Sequence, residues 1–347
     1  MKHNSRSLFD EEYRLEKISK QRDPLEILKR HVDFELFRKP LDKHFRPQEK
    51  DLLKGGRPWF DYVLMFKILI LQRYYNISDD ATEYAILDRL SFMRFLGLRL
   101  SDRVPDAKTI WNFRNNIANG GLVEELFTKL DSELNKRGVI AHDGKMADAS
   151  FVEVPRQRNT REENMQLKKG EIPEEWKDKP NKLRQKDIDA SWTQHNGQNY
   201  FGYKDHVKAD TETKLITAYE VTPANVHDSN VLEQLLDKKD RHQYFYADSA
   251  YRSKKIENKL KKKKIKSKIH EKGYRGNPLT EKQKKRNRKK SKVRARVEHI
   301  FGFMENSMNG MYIRCRDFTR ASATIGLMNI TYNLFRITQL KISIARA

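Results

Sequence analysis

The hydrophobic period of this chain changes at Val139, and that change divides what it can fold into. From Pro58 to about Gly138, apolar residues recur at helical spacing; beyond it, short apolar runs separated by turn residues read as strands. Trp59 to Tyr75 is rich in Leu, Ile, Met and aromatics and forms a first helix. Ser78 or Asp79 can cap a second running towards Leu96, and Pro105-Asp106 opens a third containing Ile110, Trp111 and Phe113. A fourth spans about Leu122 to Lys136 and stops at Gly138, a residue suited to the left-handed turn that ends helices. Four helices on short turns make a compact all-helical domain over 51–138. The preceding residues, 1–50, are charged and weakly periodic, and read as short helices or a flexible arm.

In the second part, Val139 to Val154 reads as a strand carrying Asp148. Residues 156–197 are strongly polar and read as an exposed insertion. Tyr200–Lys208 and Leu215–Val221 read as a hairpin around Asp210-Thr211-Glu212-Thr213. Asp228 or Ser229 can cap a helix with Val231, Leu232, Leu235 and Leu236 on one face, and Tyr244 to Ala247 is a short buried strand ending at Asp248. A Lys-rich helix, a strand at Ile265–Ile269 and a basic loop over 271–290 follow. The end is helical: Val293, Val297, Ile300, Phe301, Met304 and Met308 form one stripe, and Leu327 to Leu340 closes the chain. Three strands, then helix, strand, helix, strand and helix describe an α/β fold. The expectation is a mixed-sheet, ribonuclease H-like catalytic domain over 139–347 behind the helical one.

Charge narrows the function. Lys and Arg outnumber Asp and Glu by 71 to 48, a formal net charge of +23. Such an excess favours nucleic acid over small acidic substrates, because phosphate neutralisation supplies most non-specific affinity. Much of it lies in Lys254–Lys268 and Lys282–Arg296, both within the interval between Asp248 and Glu298. The single cysteine, Cys315, excludes disulfides and a Cys-rich zinc site and points to a reducing compartment. The N-terminus lacks the apolar stretch of a signal peptide. The most apolar run, Tyr62 to Leu71, is interrupted by Lys67 and falls short of the roughly 20 residues that cross a bilayer. A cytoplasmic, nucleoid-associated protein without membrane contact is expected.

The acidic residues carry the chemistry. Asp148 and Asp248 lie on or at the end of strand-like runs, and Glu298 lies on the amphipathic helix. Two divalent cations about 4 Å apart can activate a nucleophile and stabilise a leaving oxygen in phosphoryl transfer. Magnesium, with manganese as a substitute, takes oxygen ligands of this kind. Each residue alone also has a structural reading: Asp248 as a strand end, Asp148 in a turn, Glu298 paired with Arg294 one helical turn earlier. His227 and Asp228 could lie near such a site or be a loop residue and a helix cap. His299 could touch substrate or pack, and Asp143 before Gly144 reads as a turn residue. In the helical domain Lys108, Thr109, Trp111, Asn112 and Arg114 open a helix that could be a recognition helix, with Trp111 equally suited to the core.

Taken together these segments resemble the DDE transposases of bacterial insertion sequences, in the insertion-sequence-five group, over roughly residues 40–340. The resemblance rests on Val-Pro-Asp-Ala-Lys-Thr-Ile-Trp-Asn-Phe-Arg at 104–114, Ala-Asp-Ala-Ser at 147–150 and Gly-Tyr-Lys-Asp-His at 202–206. It rests equally on Thr-Pro-Ala-Asn-Val-His-Asp-Ser at 222–229, Ala-Asp-Ser-Ala-Tyr at 247–251 and Arg-Val-Glu-His at 296–299. It implies that Asp148, Asp248 and Glu298 are the catalytic, metal-binding triad. The wider family pattern Tyr-x2-Arg-x3-Glu-x6-Lys is matched by Arg294 and Glu298, whereas Ser291 and Glu305 stand at its Tyr and Lys positions. The implied function is metal-dependent cleavage at element ends and strand transfer of the freed 3′ hydroxyl into target DNA, by a homodimer on double-stranded DNA. Arg294, Lys292, Arg296, Lys108, Thr109 and Arg114 are the expected DNA contacts. A nuclease or resolvase on the same fold, and a transposase-derived protein that only binds DNA, remain as alternatives.

Overall fold

The computed structural model describes residues 9–45 and 58–344. Parts of the expected arm (1–8 and 46–50), the entry to the helical domain (51–57) and residues 345–347 lie outside the described residues. The chain forms two compact units. One comprises the chain up to Glu133 and again from Leu334; the other runs from Leu134 to Asn333. The closing segment thus groups with the N-terminal helices, and the division differs from the expected one at 138/139.

The first unit contains α1 (Asp10–Lys20), α2 (Pro24–His31), α3 (Arg38–Phe45), α4 (Tyr62–Tyr75), α5 (Asp79–Asp88), α6 (Leu90–Leu96), α7 (Ala107–Asn119) and most of α8 (Leu122–Lys136). Helix α4 is apolar almost all round, and Met65, Phe66, Ile68, Leu69, Ile70 and Leu71 are all buried, so it must be enclosed by its neighbours. Asp61, Ser78 and Asp106 cap α4, α5 and α7 by accepting backbone N–H bonds. The helix expected from 78 to 96 is two helices, because Arg89 is extended. On one continuous helix Ile86 and Phe92 would point about 120° apart; the break lets both be fully buried. The expected arm is helical where described: Leu25, Leu28, Phe37 and Leu41 are buried, and Phe37 packs on Phe66 with ring centroids 4.8 Å apart.

The second unit is built on one mixed sheet of β1 (Gly144–Glu153), β2 (Ser191–His195), β3 (Gln198–Asp210), β4 (Ile216–Pro223), β5 (Tyr244–Tyr246) and β6 (Lys266–Ser267). β1, β3 and β4 run antiparallel, β5 and β6 join parallel to β1, and β2 pairs with the first residues of β3. Three antiparallel strands continued by two parallel ones make the ribonuclease H-like sheet. The helices are α9 (Arg161–Lys168), α10 (Glu174–Lys177), α11 (Pro180–Arg184), α12 (Leu232–Leu235), α13 (Lys254–Lys262), α14 (Glu281–Arg294), α15 (Glu298–Asn306) and α16 (Phe318–Gln339), the last continuing into the first unit. Among the described residues no helix is long and apolar enough to cross a membrane.

Two sequence expectations are corrected here. Residues 281–290 are not loop but the body of α14, started by a Thr280–Gln283 capping box and free of Gly and Pro. The polar insertion is not featureless either. Thr160 and Glu163 form a second capping box; Trp176 is fully buried and donates its indole N–H to Glu163 at 2.6 Å; and 191–195 is strand β2.

Helix α16 is pinned to the sheet by buried amides. Asn333 both accepts from and donates to the backbone of Ile216 at the start of β4. Asn329 donates to Asp205 Oδ1 at 3.1 Å on β3, while Asp205 Oδ2 and Asn329 Oδ1 are buried without a partner. One proton on Asp205 gives the acid a donor that can satisfy that amide oxygen, closing an acid–amide pair. Complete burial, opposed by the Asn329 bond, pushes the Asp205 carboxyl up to about 7. This folded value lies above the unfolded one, so the stabilisation is complete below about pH 4 and is lost as pH rises through about 7. Denaturant unfolding should therefore show stability falling over that interval by about 1 to 4 kcal/mol. Asp205→Asn should flatten that dependence and be the more stable form at pH 8; an unchanged pH profile in the variant would refute the assignment.

Candidate active site

The parallel register of β1 and β5 places two carboxylates level with each other. Met146 pairs with Tyr246, and Asp148 and Asp248 each lie two residues further along, on the same face as the paired residues by strand alternation. β5 ends there, and Asp248 starts a single 3-10 turn, Ser249–Tyr251, accepting the N–H of Ala250 at 2.8 Å. Asp148 is half-buried. Its Oδ1 accepts from its neighbour Ala149, and its Oδ2 accepts from Arg294 Nη1 at 2.6 Å. Arg294 is the last residue of α14, and its Nη2 also donates to Glu298 Oε1 at 3.1 Å. Glu298 opens α15 after the 3-10 turn Ala295–Val297, its carboxylate largely exposed. One guanidinium therefore joins the first strand carboxylate to the helix carboxylate.

Burial pushes the Asp148 carboxyl up to about 6. The Arg294 charge and the Ala149 N–H oppose that shift, whereas the charges of Asp248 and Asp228 add to it. Tyr251 is fully buried, and its hydroxyl has no hydrogen-bond partner. Burial and then the charges of Asp228, Asp148 and Asp248 raise its pKa well above the ordinary phenol value. The three aspartates thus share one low-dielectric region around this phenol.

Asp228 does not cap a helix. His227 caps the 3-10 turn Asp228–Asn230 by accepting from Ser229 N–H, and α12 has no side-chain cap. The Asp228 carboxylate instead accepts from Lys204 Nζ at 2.8 Å. Lys204 also donates to the Val226 carbonyl and lies over the Phe151 ring. His206 is buried beside them: its Nε2 bonds Thr222 Oγ1, and its Nδ1 is unpartnered 3.9 Å from Asp228. Burial first, then Lys204, lowers its pKa to about 4 against the pull of Asp228, so the ring is neutral at pH 7. Lys204 and Tyr251 were not singled out as site residues in the sequence. The signal available was the alternation in Gly202-Tyr203-Lys204-Asp205-His206, which puts a lysine and a histidine together on one face of a buried strand.

The other expected site residues divide. Lys292 is exposed near the end of α14, while Arg296 donates to Thr211 O and Glu212 at the β3–β4 turn. On α7, Lys108 and Trp111 are exposed, so Trp111 is not core. Thr109 gives its N–H to the Asp106 cap, and Arg114 is engaged by Asp79 and Gln72 within its own unit. His299 and Asp143 are exposed.

Among the described residues, no three His, Cys, Asp or Glu side chains close on one point at metal-ligand distance. The donor set nonetheless fits magnesium, an oxygen-seeking ion commonly held by one or two carboxylates plus water and substrate phosphate. An Asp148 carboxyl pushed up by burial and by the charges of Asp248 and Asp228, beside an unpartnered phenol, is an environment that a divalent cation would relieve.

Two family models match the chain. The family described as Transposase DDE domain matches residues 141–334, and Transposase domain (DUF772) matches residues 13–116. The chain belongs to the DDE transposases. It is accordingly a polynucleotidyl transferase, and its pairing of domains is typical of the transposases of insertion sequences. A cryo-EM structure of piggyBac transposase in a synaptic complex with hairpin DNA is similar at 12% identity over 93% of this chain and 77% of that one, with a TM-score of 0.44.

Because Arg294 holds the Asp148 carboxyl down, removing it has a defined sign. In metal-free protein, Arg294→Gln should raise the Asp148 pKa further above about 6, by about one unit. Carboxyl-carbon NMR titration reads this directly, and a fall or no change would show that the ion pair is not formed in solution.

Proposed function

We propose that this transposase cleaves DNA at insertion-sequence ends and joins the freed 3′ hydroxyl to target DNA, with Asp148, Asp248 and Glu298 as its catalytic carboxylates. The observation that carries the proposal is the level placement of Asp148 and Asp248 on adjacent parallel strands, with Arg294 linking Asp148 to Glu298. Asp148 and Asp248 would hold magnesium or manganese, with Glu298 completing the set. Bound divalent ions would supply activation of the attacking oxygen and stabilisation of the leaving one. The chain's own residues would position and neutralise the substrate. Arg294 has a planar fork that suits phosphate as well as carboxylate, and a DNA phosphate would compete with Asp148 and Glu298 for it. The apolar cluster of Phe245, Ala247 and Tyr251 on the opposite face of the sheet would keep bulk water from reaching the centre from behind. Two element ends must be held together before joining, so the working form is proposed to be a homodimer on DNA.

Helix α14 supplies the proposed track for the DNA backbone. It has no buried residue, and Lys282, Lys285, Arg288, Lys289 and Lys292 form an exposed ridge at helical spacing. Lys108 and Trp111 on α7 would contact DNA from the helical unit, with Thr109 beside them. Arg114 would act only by holding that helix through Asp79.

Two measurements test the reading. With magnesium and DNA carrying the element ends, wild type should cleave and join, and Asp248→Asn should lose roughly a hundred- to a thousandfold in rate. Cleavage without joining would favour a nuclease, and binding with no metal-dependent cleavage would sink the catalytic assignment. Replacing Lys285, Lys289 and Lys292 by Gln should reduce the slope of log affinity against log salt by about 2 to 3; an unchanged slope would remove α14 from the DNA interface.

A further inference from the structure

The register leaves one acidic residue that the catalytic set does not use. Asp148 pairs with Val207, whereas Phe151 pairs with Lys204 and Ala149 with His206, so Lys204 and His206 lie on the sheet face opposite Asp148. Ala147, Phe245, Ala247 and Tyr251 belong to a buried apolar cluster on that opposite face. The Asp228–Asn230 turn packs directly against the Ser249–Tyr251 turn that follows Asp248. Asp228 therefore stands behind the two strand carboxylates, separated from them by the sheet and the Tyr251 ring.

We infer that Asp228 is a positioning residue of the cation site, acting through the protein rather than as a ligand, and that Lys204 sets its strength as counter-ion. This inference rests on the proposed metal-dependent reading of Asp148 and Asp248. Three observations support it. The helix-capping role that would make Asp228 merely structural is taken by His227. The Asp228 carboxylate is held at 2.8 Å by a lysine whose side chain is only 12% exposed. The Tyr251 hydroxyl is buried without a partner among Asp228, Asp148 and Asp248, whose fields all reach it. In a medium this dry, charges act over longer distances than in water, so an acid behind the sheet still adds to the attraction for a cation in front of it. Lys204 opposes that contribution.

The two halves of the Lys204–Asp228 ion pair must then have opposite effects. An ion pair that only holds the fold predicts a loss of stability from either substitution and no opposed change in cation affinity. The test is Mn2+ binding to the full chain without DNA, followed by electron paramagnetic resonance of free Mn2+, with circular dichroism to verify folding. Asp228→Asn should weaken Mn2+ binding on the order of tenfold, and Lys204→Gln should tighten it by a similar factor. Asp228→Glu, which keeps the charge, should restore most of the affinity and covers the case in which the Asn variant folds poorly. Equal shifts of the same sign in the Asn and Gln variants, or none while wild type binds Mn2+, would overturn the inference and leave the catalytic reading standing. Failure of wild type to bind Mn2+ at all would overturn both.

Discussion

The parallel pairing of Gly144–Met146 with Tyr244–Tyr246 governs where the reactive groups lie. It is a short interaction, yet it joins the antiparallel β1–β3–β4 meander to the β5–β6 edge and so joins two parts of the chain far apart in sequence. Because side chains alternate, a slip of one residue would turn Asp248 away from Asp148. The register is secured on both faces. Ala147, Phe245 and Ala247 are buried in the apolar cluster with α12 and α13, and Met146 is buried on the other side. Buried ion pairs brace the same sheet, Lys145 with Asp210 and Lys208 with Asp240, the exposed Asp237 also reaching Lys208. Losing one partner of such a pair would strand a charge in the interior.

That framework concentrates negative charge in a place of low dielectric, and the rest of the site is a response to it. Arg294 neutralises Asp148 from the α14 side, and Lys204 neutralises Asp228 from the opposite face. Among the described residues, Asp248 accepts only a backbone N–H within its own turn. The site is therefore asymmetric. A cation or phosphate arriving at Asp148 meets a side chain already engaged by Arg294, whereas at Asp248 it meets an acid without a cationic partner among the described residues.

Helix α14 connects this site to the basic surface by an unusual form of docking. With no residue fully buried, it is held by polar contacts. Arg286 donates twice to Glu271, Asn287 bonds the Glu271 backbone in both directions, Lys290 donates to Ile269 O, and Arg294 reaches Asp148. The turn of the helix then directs Lys285, Lys289 and Lys292 away from that docked face. One helix thus carries the site's arginine on one side and its phosphate-attracting ridge on the other.

The period change at Val139, the caps at Ser78 and Asp106, the strands bearing Asp148 and Asp248 and the helix bearing Glu298 were legible in local sequence, because periodicity and capping are properties of neighbouring residues. The Thr280–Gln283 capping box was legible too, but the density of charge around it reads as loop. Sequence could not reveal that Arg114 and Arg296 are engaged by Asp79 and Glu212, or that Trp111 is exposed while Trp176 is buried. It also could not show that His227 rather than Asp228 makes the cap. Those outcomes depend on which side chains meet across long separations. The amino-acid sequence by itself determined the element types, the strong positive charge and the identity of the acidic residues. Only the tertiary structure decided which acids share one low-dielectric region and which cations reach them, because strand register and burial arise from the packing of the whole sheet.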